Sequence, residues 1–190
     1  MSLAESQRLL ARLYTDAELR RRFFAAPEDV GVEWGLAAEE ARALVSSREQ
    51  VDRFAHALEK KHLREVRRLL PHTAALLAGE LGELYSAYSA SDRARSPPGG
   101  FRKILEDALR FAAVVERRTS DDLVRAVACY EAAWVRAGAP GFRFAARIFP
   151  YRMGEVLRRL DEGEEIQRAK RPSLHLWWRL GRLRHLGVPG

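Results

Sequence analysis

The periodicity of this chain changes once, at Gly138-Ala139-Pro140-Gly141, and that switch limits what it can fold into. Apolar repeats before it have helical spacing, whereas Phe142-Arg143-Phe144 and Leu174-His175-Leu176 after it alternate as strands do. The fold class expected is therefore mainly α. A helical domain over residues 1–137 should precede a small basic β-containing (α+β) domain over 138–190. Charge divides at the same place. From Phe142 onward eleven Arg and Lys stand against five Asp and Glu, so this last segment holds six of the seven excess positive charges.

Ser2 with Glu5, and Thr15 with Glu18, have capping-box spacing, which predicts a helix to about Tyr14 and another from Asp16 to Ala25. Pro27 suits the first turn of a third, Gly35 ends it near Trp34, and Ala37 to Val45 makes a fourth. Leu9, Leu10, Leu13, Leu19, Phe23, Val30, Trp34, Leu36 and Leu44 are the candidate core of this cluster. Ser47 with Gln50 opens the longest helix, with Val51, Phe54, Ala55, Leu58, Val66, Leu69 and Leu70 as its apolar stripe until Pro71 stops it. Thr73–Ala78 and Glu80–Ala90 read as two helical pieces, and Ser91–Gly100, with its Pro-Pro-Gly-Gly, as an exposed loop and hinge.

Helices resume over Phe101–Arg117 and, after a cap at Ser120, over Asp121–Ala137, where Trp134 should face inward. Beyond Gly141 the pattern predicts a strand over Phe142–Phe149, a short helix over Gly154–Leu160, an acidic turn at Asp161–Glu165 and a strand over Ser173–Leu180. Two strands alone are marginal. They must pack on the helical body or pair with a third element.

One cysteine, Cys129, excludes an internal disulfide framework and a cysteine metal cluster, and suits a reducing, cytoplasmic setting. No signal peptide is expected, since Met1-Ser-Leu-Ala-Glu-Ser-Gln-Arg has no apolar run behind a basic cap, and no membrane span, since no run of 18 apolar residues occurs. The pI of about 10.1 favours anionic partners without choosing among acidic peptide, nucleic acid and lipid headgroups.

Candidates for chemistry are few. The five histidines include no HxxxH pair, although His62 and His72 bracket Pro71 and offer either a metal contact or ordinary helix-surface positions. Cys129 lies on an apolar helix with no neighbouring base and reads as a small buried hydrophobe. There is no nucleophile elbow, phosphate-binding loop or dinucleotide fingerprint, and Asp161, Glu162, Glu164 and Glu165 lack calcium-loop spacing. No catalytic residue, metal ligand or cofactor site is therefore assigned, and the expectation is a protein that binds and does not catalyse.

Two segments carry the binding expectation. Lys60, Lys61, Arg64, Arg67 and Arg68 share one face of the long helix, either a solvated surface interleaved with Glu59 and Glu65 or a docking face for an anionic partner. The terminal Leu174-His-Leu-Trp-Trp-Arg-Leu-Gly-Arg-Leu-Arg-His joins strand alternation, paired indoles and arginines. Alternation puts Leu174, Leu176 and Trp178 on one face and His175, Trp177 and Arg179 on the other, so one tryptophan should be core and one near the surface.

Leu13-Tyr14-Thr15-Asp16, Leu19-Arg20, Phe23, Pro27 and Gly35-Leu36 resemble a helical module of small dioxygenase subunits and some modified-peptide precursors. Val66-Arg-Arg-Leu-Leu-Pro-His-Thr73, then Leu76-Leu-Ala-Gly79, Asp107 and Phe111, resemble the partner proteins of multinuclear non-heme iron oxidative enzymes, a family once catalogued as putative DNA-binding proteins. Ala78 departs from that pattern, in which a Leu-Gly pair is usual, and so does the linker after Tyr88.

The resemblance implies a non-catalytic subunit, in a heterodimer, that binds the iron enzyme and presents a ribosomally made precursor peptide to it. The iron ligands then belong to the other protein. On this expectation the leader peptide adds as a strand to the C-terminal sheet, with Arg143, Arg147, Trp177, Arg179 and Arg182 as peptide-binding residues, and Lys60, Lys61, Arg64, Arg67 and Arg68 dock the enzyme. The alternative is a nucleic-acid-binding regulatory protein, motivated by the pI and the basic tail but lacking a clear recognition helix.

Overall fold

The computed structural model describes residues 3–91 and 100–189, a mainly helical chain with a three-stranded antiparallel sheet near its end. It divides into two compact units, Met1–Arg64 with Tyr85–Pro98, and Glu65–Leu84 with Gly99–Gly190. The expected boundary at 137/138 is thus not where the chain divides. Most of the loop expected over Ser91–Gly100, residues 92–99, lies outside the described residues, as does the Ser2 cap.

The first unit is built on α1 (Leu3–Thr15), α2 (Ala17–Ala25), α3 (Pro27–Glu33), α4 (Ala38–Val45) and the larger part of α5 (Arg48–Leu69). Asp16, not Thr15, caps α2: its Oδ1 accepts the Leu19 amide at 2.9 Å, while the Thr15 hydroxyl turns back to Ala11 O at 3.2 Å. Leu9, Leu13, Leu19, Phe23, Val30, Leu36, Ala41 and Val51 form the buried core, with Leu10, Trp34 and Leu44 partly buried against it. Phe54, expected inside, is half exposed and packs its ring 4.5 Å from Tyr14.

The second unit holds the end of α5, then α6 (Pro71–Leu77), the start of α7 (Leu81–Ser91), α8 (Gly100–Arg118), α9 (Asp122–Gly138) and α10 (Met153–Glu162). Pro71 does more than end α5, because it occupies the first turn of α6, where a missing N–H costs nothing. Asp121, one residue beyond the expected Ser120, caps α9 by accepting the amides of Leu123 at 2.8 Å and Val124 at 3.3 Å. Helix α10 runs through Asp161 and Glu162, so only the last part of the expected acidic turn is a turn. No helix among the described residues is long and apolar enough to cross a membrane.

The strands are β1 (Phe144–Phe149), β2 (Ser173–Leu180) and β3 (Arg182–Pro189), in the spatial order β1-β2-β3. The third was not foreseen as a strand. Gly181 adopts φ +80°, which lets the chain reverse between Leu180 and Arg182, and β3 then runs back along β2 from Leu180↔Arg182 to Ser173↔Pro189. On the other side β1 pairs with β2 from Phe144↔Trp178 to Phe149↔Ser173.

One core joins this sheet to the helices. Leu123, Val127, Tyr130 and Ala137 of α9 pack with Phe149, Tyr151, Met153, Val156 and Trp177. That shared core is why 138–190 does not separate: the inner face of the sheet has α9 as its second layer.

Candidate functional site

Central strand β2 sorts its side chains by parity. Ser173, His175, Trp177 and Arg179 face the helices, with Trp177 fully buried, while Leu174, Leu176, Trp178 and Leu180 face outward. Arg179 is tied inside by Nη2 donating to Ala137 O at 2.8 Å. Around Trp177 gather Tyr130 at 5.8 Å, Trp134 at 6.1 Å and His185 at 5.0 Å between ring centroids.

A polar chain crosses the inner face. The Ser173 hydroxyl donates to Tyr151 O at 2.6 Å, so the 3.0 Å contact with His175 needs the imidazole Nε2–H as donor. His175 Nδ1 is then an acceptor, and at 2.9 Å it takes the Nε2–H of His185, whose ring stacks 5.1 Å away. Both tautomers follow from one carbonyl. Burial, and then the charge of His185, lower the His175 pKa to about 4; burial also lowers that of His185. The arrangement cannot activate Ser173 as a nucleophile, since its proton is committed to an amide oxygen and its neighbouring imidazole nitrogen is a donor.

The outer face is unusual for an antiparallel sheet, whose uncovered side is ordinarily polar. Reading across the register, Ile148-Leu174-Val188 and Ala146-Leu176-Leu186 are wholly apolar rows, followed by Phe144-Trp178-Arg184 and Leu180-Arg182. Phe144 is 62%, Ile148 73% and Leu180 80% exposed. The three strands contain no Asp or Glu, so the cations at the β3 corner have no carboxylate within the sheet.

Among the described residues β1 and β3 pair with β2 alone. Alternate N–H and C=O groups of β3 therefore point away from the sheet, as on any edge strand, with Pro189 lacking a donor at its end. A cleft of about 480 Å³ opens by the end of β3, lined by Tyr130, Met153, Gly154, His175, His185 and Val188 among others.

The residues expected to bind peptide do not all reach this surface. Trp177 is corrected outright: at 0% exposure it is core, and Trp178 holds the outward position. Arg179 is half-buried and bonded to Ala137 O, and Arg147 is half-buried on the inner side, 6.0 Å from the Phe149 ring. Arg143 is exposed just before β1, its carbonyl accepting the Arg179 amide at 2.9 Å. Arg182 alone of the five is an exposed residue of the β3 edge. Arg184, Leu186 and Val188 were missed because β3 was. The alternation Arg182-Leu-Arg-His-Leu after a turn glycine was the signal that could have found them.

Lys60, Lys61 and Arg64 in the first unit, and Arg67 and Arg68 in the second, are all exposed; Arg68 pairs with Glu65 at 3.0 Å. His72 is part-buried, with both ring nitrogens engaged by carboxylates. Its Nδ1 lies 2.9 Å from Glu131 Oε1 and its Nε2 2.9 Å from Asp161 Oδ1. Glu131 also accepts the His72 and Thr73 amides and, at 2.6 Å, the Thr73 hydroxyl, capping α6 from α9 because Leu70 at the cap position cannot. Burial, with the Glu116 carboxylate that takes its S–H hydrogen bond, pushes the Cys129 thiol up to about 11, so it carries little thiolate near neutrality.

In comparison with known proteins, no protein-family model and no curated sequence matches this chain.

Proposed function

We propose that the protein is a non-catalytic adaptor whose β3 edge receives an extended peptide by strand addition. The observation that carries this reading is the outer edge of β3, which bears Arg182 and Arg184 and has no strand partner among the described residues, beside an outward sheet face rich in exposed apolar side chains. Main-chain hydrogen bonds to β3 supply affinity, and side chains on the outer face supply selection. Taken with the sequence resemblance, the peptide is the leader of a ribosomally made precursor, and the partner is a multinuclear non-heme iron enzyme that modifies it. The exposed cations of α5 suit an acidic surface on that enzyme.

Co-expression with a co-encoded iron enzyme and precursor, followed by affinity purification and calorimetry, tests this. A complex with the enzyme, and precursor binding that protects β3 amides from hydrogen exchange and survives moderate salt, are the expected results. Association with neither protein overturns the reading. So does tight duplex DNA binding that collapses as salt rises, the mark of phosphate contacts.

A further inference from the structure

We propose that β3 selects its peptide by a four-position pattern on the outer face, with carboxylates opposite Arg182 and Arg184 and apolar side chains opposite Leu186 and Val188. This rests on the strand-addition reading and names the class of peptide it takes. An added strand becomes a fourth column of the sheet, and its outward side chains extend rows whose other members are already set by register. The rows ending in Val188 and Leu186 are apolar across β1, β2 and β3, so a polar residue added there would lose water without gaining a partner. The rows ending in Arg184 and Arg182 finish on exposed cations with no acid in any strand, and a carboxylate on the incoming chain would supply one.

In full overlap a second copy does not fit. Antiparallel pairing of β3 with its own copy about His185 sets Arg182 against Val188 and Arg184 against Leu186, which matches neither row. Continuing the antiparallel sheet gives the peptide order apolar-x-apolar-x-acid-x-acid from its N-terminus.

The test uses the full chain and four synthetic peptides: Leu-Thr-Val-Thr-Glu-Thr-Glu with short flanks, its reverse, a version with the same residues in adjacent positions (Thr-Leu-Val-Glu-Glu-Thr-Thr) so that no register turns all four outward, and one with Lys in place of Glu. Calorimetry gives affinity, and hydrogen exchange of β3 amides reports strand addition. The first peptide is expected to bind best and the Lys peptide about tenfold more weakly, two charge pairs at the size usual for cross-strand neighbours. In the double variant Arg182→Glu, Arg184→Glu, both sites being exposed, the preference should invert. Equal binding of all four with β3 protected overturns the pattern and leaves strand addition standing. Binding of none, or self-association through β3, overturns both.

Discussion

Gly187 and His175 face each other across the β2–β3 ladder with no room for another carbon: a Cβ on Gly187 would lie 2.7 Å from His175 Cε1 and 2.9 Å from Nδ1. The imidazole cannot retreat, being held at Nε2 by Ser173 and at Nδ1 by His185. Gly187→Ala should therefore destabilise the protein by about 1–3 kcal/mol, the usual cost of an overpacked site. Urea unfolding measures it. In a His175→Ala background the same change should cost much less, and an undiminished cost would mean that the strain lies elsewhere.

Acid should weaken the fold through the same imidazole. An unfolded histidine titrates near 6.5 and His175 in the fold at about 4, so between those values the unfolded chain holds the extra proton. Stability should be unaffected by this group above pH 6.5, fall by up to about 3 kcal/mol as pH drops to 4, and level off below. Comparing unfolding free energies of the native chain and His175→Gln at pH 7 and pH 4.5 isolates the effect, because the remaining titratable groups are present in both. Equal acid losses in the two would remove His175 as the cause.

Glu131 is a second buried polar group with a defined task. Its two oxygens take four donors from His72 and Thr73 at 2.6 to 2.9 Å, so an amide nitrogen placed there must oppose a donor. Glu131→Gln is expected to cost about 2–3 kcal/mol, the scale of a buried donor left unpaired. Amide exchange at Thr73 should quicken at the same time. A loss of stability without that local change would argue against the capping role.

What was legible in the residues was mostly what local chemistry encodes. The helix start at Pro27, that of α4 to within one residue (Ala37 expected, Ala38 found), the end near Trp34 before Gly35, and strand Ser173–Leu180 follow from caps, prolines and alternation, which act within a few residues. The opposite facing of Trp177 and Trp178 followed from parity alone. Less legible was whatever depends on distant partners. Glu131 looks like any helix acid until α6 arrives beside it, and Arg147 and Arg179 look like surface cations until β1 and β2 turn them inward. Strand β3 was hidden by its one-residue Gly181 turn and by the polar residues that a strand uncovered at its edge can carry.

Trp177 and Trp178 should separate stability from binding. Trp177 lies fully buried among Tyr130, Trp134 and Phe149, so Trp177→Ala should cost about 3–5 kcal/mol, as deletion of a core aromatic does. Trp178 shares its outer-face row with Phe144 and Arg184, partly exposed, and its removal should cost roughly 1 kcal/mol or less of stability. If β3 takes a strand, Trp178→Ala should nevertheless weaken peptide binding, since the row that the peptide extends loses its central member. Thermal melts and calorimetry on both variants check this. Unchanged affinity in a folded Trp178→Ala protein would show that the outer face does not take part.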